Sequence, residues 1–288
     1  MAVYKRTYKG YSGELTPTWS RFMILPRYSY ARLFQSKFLL LFYLACFIYP
    51  LGCVGYIYLA HNLSFLATFR VPTNALTIDA NFFILFCSFQ FGMAYFMTAF
   101  IGPGLVSPDL TNNALPLYLC RPFSRTEYVI GRMSVLMWVL SSITWIPGLL
   151  LFGVQSSLAG WNWAKENYFI AGAIFIALMI CNVLLSLIAM TVSSRVKWKV
   201  LAGIIIIAIF IAGAGFGTAI NAVMRTHYGS LINLTQITRT IWGGLFRISV
   251  SGSRDVLTPA EAWFAIAGIS ALCLWLLSRK VRAFEVVK

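Results

Sequence analysis

Six apolar runs in this chain are each long enough to cross a lipid bilayer as a helix. A hydrocarbon core of ~30 Å takes ~20 helical residues. The runs cover residues 38–60, 80–102, 133–155, 168–192, 200–224 and 260–278. Backbone polar groups in lipid must be satisfied internally, and a helix does this within one segment. The reading is therefore an all-α integral membrane protein with six transmembrane helices. Composition agrees, at 59% hydrophobic and 11% charged residues, more apolar surface than a soluble domain of this length can hide. Pro50 and Pro147 fall inside the first and third runs. They predict kinks, because the carbonyls they release can find other partners in a membrane bundle.

The net charge of +15 does not indicate nucleic acid. The basic residues flank the apolar runs rather than gather on one face, which is the pattern of membrane orientation. Placing the N-terminus inside puts Lys5, Arg6, Lys9, Arg21, Arg27, Arg32 and Lys37 on the cytoplasmic side. Arg121, Arg125, Arg132, Arg195, Lys197, Lys199, Arg279, Lys280, Arg282 and Lys288 join them. The outer segments keep Arg70, Lys165, Arg225, Arg239, Arg247 and Arg254. Both termini are thus expected in the cytoplasm, with the chain in the plasma (inner) membrane. The first run begins too late and runs too long for a cleavable signal peptide.

Three divisions follow. Residues 1–37 form a cytoplasmic tail with an interfacial helix over 17–37, where aromatic and basic residues interleave and Pro26 should break or bend the helix. Residues 38–279 form the six-helix domain, and 280–288 a basic cytoplasmic tail. The long outer connector at 225–259 is apolar but interrupted by Arg239, Gly243, Gly244 and Arg247. It reads as short amphipathic or re-entrant pieces folded onto the outer leaflet.

Several function classes lose support. No charge falls within the six spans, apart from Glu261 at an outer edge, so proton relays and voltage sensors lack their groups. His61 and His227 both sit in predicted outer loops, and neither Ser64 nor Asp255 has catalytic spacing to them. Of the six cysteines, five lie in spans and none forms a CxxC pair, so neither a disulfide nor a metal site is expected. No GxxxxGK[ST] phosphate loop is present. The chain is not expected to be an enzyme or to bind a cofactor itself.

Residues 102–132 carry the strongest functional signal. The stretch reads GPGLVSPDLTNNALPLYLCRPFSRTEYVIGR, a charged connector between two apolar runs. Its expected form is a short amphipathic helix starting near Ser107 or Asp109, with one of those side chains as N-cap. Leu110, Ala114, Leu115 and Leu117 would make its apolar contacts, and Arg121, Arg125 and Glu127 would pair with a partner or with each other.

The connector resembles that of the permease subunit of type-2 ABC exporters. That pattern is an acidic residue, a turn, an apolar stretch, then Pro, a basic residue and Gly-Lys or Gly-Arg before the next span. The matching positions are Asp109, Leu115, Leu119, Pro122, Arg125, Gly131 and Arg132. The ending VRAFEVVK is similar to the family's basic terminus. One departure is that many relatives carry Glu-Arg where this chain has Pro108, Asp109 and Leu110.

The resemblance implies a homodimer of permeases around a central pathway, each resting on a cytoplasmic ATPase that binds ATP and Mg. Asp109, Leu115, Arg121, Arg125 and Glu127 would couple to that ATPase. ATP binding would move the connector, and through it helices one, two and five. The runners-up are a non-transporting membrane scaffold and a passive channel.

Two more sets of residues follow. Ser88, Gln90, Tyr95, Thr98, Thr218 and Asn221 are the neutral polar groups that could line a pathway, which suits a lipid-like or amphipathic substrate better than a bare ion. Gly213 and Gly217, four apart on helix five, allow close helix approach and mark either packing within one chain or a subunit interface.

Overall fold

The computed structural model describes residues 24–62, 77–111, 125–248 and 257–280. Among these, the chain is helical: α1 (Ile24–Leu33), α2 (Lys37–Ala45), α3 (Ile48–His61), α4 (Ala80–Thr111), α5 (Arg125–Ile143) and α6 (Trp145–Ala159). Then come α7 (Trp161–Glu166), α8 (Tyr168–Ser193), α9 (Lys199–Met224), a 3₁₀ turn (Tyr228–Leu231), α10 (Leu234–Leu245) and α11 (Pro259–Lys280).

Six helical stretches are long and apolar enough to span a membrane: α2 with α3, α4, α5 with α6, α8, α9 and α11. They correspond to the six apolar runs. The apolar segment of α8 is 72% buried, whereas that of α2–α3 is only 17% buried. The fourth span is therefore the central post, packed on α4, α5, α6, α9, α10 and α11. Leu41, Ile48 and Leu51 on α2–α3, Ile211 and Phe216 on α9 and Phe264 on α11 face outward.

Two breaks follow from the prolines, each about one turn before the ring. The first span breaks at Cys46–Phe47 and the third at Thr144. A proline at position i has no N–H for the carbonyl at i−4. Pro50 thus releases the carbonyl of Cys46, and Pro147 that of Ile143. One side chain takes up both. Gln90, fully buried on α4, donates from Nε2 to Ile143 O at 2.5 Å and to Cys46 O at 3.3 Å. The third span is further held by Asn182, which donates to Thr144 Oγ1 at 2.9 Å.

Helix α4 runs nine residues past the predicted end at 102, through Pro103 and Pro108. Pro103 releases the Ala99 carbonyl, and α9 approaches it so closely at Gly203 that a Cβ there would lie 2.9 Å from Ala99 O. Gly102 makes the matching approach to Ala189 on α8, where an added Cβ would lie 2.7 Å from the alanine Cβ. The helix is thus packed closely through small residues on both sides of Pro103.

Pro26 does not break α1, contrary to expectation. It occupies the first turn, where the missing N–H has no intrahelical acceptor to lose.

The connector after α9 turns back along it. The Ile232 carbonyl would lie 2.8 Å from a Cβ at Gly213, and the Gly229 carbonyl 2.6 Å from one at Gly217. Asn221 fixes this turn by accepting from Gly229 N–H at 2.8 Å and donating to Ser230 Oγ at 2.9 Å. Asn233 then caps α10, its Oδ1 accepting from Thr235 and Gln236 N–H. Leu234, Ile237, Ile241 and Trp242 bury one face of α10 in the bundle, with Trp242 edge-on to Phe91 of α4. At 12 residues, or ~18 Å, α10 is too short to cross. Thr258 and Glu261 form a capping box at the start of α11.

Gly229→Ala is expected to destabilise the protein by about 1–3 kcal/mol, because the methyl would meet Gly217 O and Asn221 Oδ1. Gly215→Ala faces open space and should be neutral or slightly stabilising, given alanine's higher helix propensity. Thermal unfolding of the two purified variants checks this; equal midpoints would discount the tight turn.

Candidate functional site at the connector ends

The charged connector leaves α4 and enters α5. Its middle, residues 112–124 with Leu115 and Arg121, lies outside the described residues, as do Cys120 and the basic tail beyond 280. Its two ends are described, and they meet.

Asp109 sits in the last turns of α4 and Arg132 two turns into α5, 23 positions later. Arg132 Nη2 donates to Asp109 Oδ2 at 2.5 Å. Both side chains are largely buried, at 11% and 14% exposure. A buried carboxylate needs several donors to offset its lost hydration. The second is Tyr128, whose hydroxyl donates to the same oxygen at 2.7 Å. Tyr128 and Arg132 are four apart on one helix face, and the guanidinium lies 5.7 Å from the Tyr128 ring centroid.

The pair also gathers neighbouring elements. Arg132 Nη1 donates to Ser29 Oγ on α1 at 2.8 Å. Tyr30 donates to the carbonyls of Ser134 and Val135, both at 3.4 Å. Burial pushes the Tyr30 phenol up to about 12, still further from ionisation than an exposed tyrosine. On the other side of α4, Ser107 donates to Val196 O at 2.8 Å and Ser193 O at 3.3 Å, in the turn between α8 and α9. One cluster thus fastens α1, α4, α5 and the α8–α9 turn at the same end of the bundle.

The expected N-cap role of Ser107 and Asp109 is not observed. Both lie inside the continuous helix α4, with their side chains committed to other elements. Pro108 stands within this helix as well. Glu127 lies in the first turn of α5, a favourable place for an acid. Arg125 opens the same helix. Sequence reasoning did not single out Tyr128 and Ser29, and it marked Arg132 only as a position of the resemblance. The usable signal was the Tyr128–Arg132 spacing, which aims two donors at one carboxylate.

The proposed pathway residues do not converge on one surface. Gln90 holds the two proline kinks. Tyr95 donates to Ile207 O at 2.7 Å, joining α4 to α9. Thr98 is buried and bonds back to Ala94 O. Asn221 fixes the connector turn. Ser88 and Thr218 are exposed, each bonded to its own helix backbone. Gly213 and Gly217 pack against the same chain's connector, so within this chain they are already covered. The sequence matches no known protein-family model and no curated protein.

Proposed function

We propose that the chain is the permease subunit of an ATP-driven exporter of the type-2 ABC class, working with a separate cytoplasmic ATPase that binds ATP and Mg. The observation that carries this reading is the connector: its sequence resembles the family's docking element, and its two ends are tied by Asp109 and Arg132. A docking element needs that rigidity. An ATPase pushing on residues 112–124 would move α4 and α5 as one body, with α1 attached through Ser29. Binding of the ATPase to two permease states with different affinity is what couples hydrolysis to the change. In this reading two copies pair in the plasma membrane around the pathway, with α1 in the inner interface and the segment from the 3₁₀ turn through α10 near the outer face. The substrate is lipid-like or amphipathic.

The test is co-expression with an ABC ATPase encoded beside this chain, followed by reconstitution into vesicles. A stable complex whose ATP hydrolysis responds to amphipathic compounds is expected. Absence of any complex would refute the permease reading, and a complex with no substrate response would favour the scaffold.

Orientation has its own test. Ser157 and Lys197 are both exposed and sit at opposite ends of the bundle. Cysteine at Ser157 should react with an impermeant thiol reagent in intact cells, and cysteine at Lys197 only after the membrane is opened. The reverse pattern would invert the topology.

A further inference from the structure

At the connector end of the bundle, α2, α4 and α9 enclose a groove of about 380 Å³. Its walls are apolar and aromatic, including Phe38, Leu39, Phe100, Val200, Ile204 and Ile207. Among the described residues none of those lining it is acidic. The charged residue among them is Lys199, at the first position of α9. The Lys199 stem crosses α4 at Gly104, where an added Cβ would lie 3.4 Å from Cε and 3.6 Å from Nζ. Those are ordinary van der Waals distances, so Lys199 lies packed along this turn of α4. Lys37 opens α2 beside the groove's Ser36, and neither α2 nor α9 has an acid in its first turn. Lys197 and Trp198, the latter 76% exposed, lie just before Lys199. A tryptophan and lysines at one level are characteristic of a membrane–water interface.

An apolar trough whose charged end is cationic matches one kind of molecule, an amphiphile with an anionic head. We propose that this groove holds an anionic phospholipid of the leaflet on the connector side. One acyl chain lies along Phe100, Ile204 and Ile207, and the phosphate faces Lys199, with Lys37 and Lys197 adding to the field. A zwitterionic lipid fits the trough equally but gains less from the cations. This inference is independent of transport, since a lipid seated between α2 and α9 would brace the first and fifth spans in any membrane protein.

The test uses the full-length protein in nanodiscs of phosphatidylcholine with a few per cent of a photoactivatable lipid, its diazirine on the acyl chain. The probe is either a phosphatidylglycerol or a phosphatidylcholine, and peptide mass spectrometry locates the adducts. Labelling by the phosphatidylglycerol probe is expected to concentrate on peptides containing Phe100 and Ile204–Ile207, and unlabelled phosphatidylglycerol should compete it away. Lys199→Ala should lower that labelling about fivefold, the size of one lysine's attraction to an anionic surface, while Lys199→Arg restores it. Ile204→Trp, at a position 56% exposed, should block the trough without disturbing the core. Equal labelling by both probes, or labelling unchanged in Lys199→Ala and Ile204→Trp, would overturn the assignment. Inorganic phosphate at millimolar concentration should not compete; if it does, the site reads a phosphate and not a lipid.

Discussion

Gln90→Leu is expected to destabilise the protein by about 2 kcal/mol. That exceeds the ~0.6 kcal/mol average for a hydrogen bond in a membrane bundle. The difference arises because two buried carbonyls lose their donor at once, and each unmade bond carries its own penalty. The cause can be isolated by restoring the donors. Replacing both Pro50 and Pro147 with alanine returns an N–H to Cys46 O and to Ile143 O. In that background Gln90→Leu should cost well under half as much. Reversible denaturation in mixed detergent, followed by tryptophan fluorescence, gives the four stabilities of the cycle. An equal cost in both backgrounds would mean that Gln90 does not act through the proline carbonyls.

Asp109→Ala is the second large effect, about 3 kcal/mol. Removing one member of a buried pair strands the other charge, here Arg132 at 11% exposure. The double change Asp109→Ala with Arg132→Met should recover much of that loss, because no charge is then left unpaired. It should not recover coupling. If the proposed function holds, ATP hydrolysis by the partner subunit stays insensitive to substrate in the double variant, although the chain folds. A double variant with normal stimulation would remove the ion pair from the coupling route. If Asp109→Ala alone is as stable as the wild type, the pair is not buried in the folded protein.

Much of the fold was legible because bilayer thickness dictates helix length. Six apolar runs appear as six membrane-long helical stretches, with ends displaced by a few residues or, at the two ends of the charged connector, by nine for α4 and eight for α5. The larger misses share one origin. Proline alone does not mark a boundary: Pro26, expected to break or bend its helix, lies inside one, as do Pro103 and Pro108. What decides their effect is which carbonyl each releases and what stands next to it. For Pro103 the answer is the close approach of Gly203, one hundred residues away in sequence, and no local pattern carries that information.

The polar residues show the same limit. Gln90 was placed on a pathway because it was neutral and intramembrane. The missing step was to count acceptors, since two span prolines leave two carbonyls and a buried amide is the natural donor. The short helix α7 was not expected within the loop at 156–167. At the connector, the resemblance identified Asp109 and Arg132 as marked positions, but their pairing depends on how α4 and α5 lie side by side.

The central position of α8 has a consequence for how the protein is made. Ribosomes deliver the N-terminal part first. Gln90, Cys46 and Ile143 all precede α8, as do Asp109, Tyr128, Arg132 and Ser29. The first three spans can therefore settle their least lipid-compatible groups before the fourth leaves the ribosome. When α8 arrives, Thr144 already presents its hydroxyl to Asn182. The small surface at Gly102 is likewise ready for Ala189. Tyr95 and Ser107 of α4 still wait for Ile207 and Val196, but the two proline carbonyls and the buried ion pair are settled by then, so the order of synthesis keeps much of the exposed polarity in the membrane low.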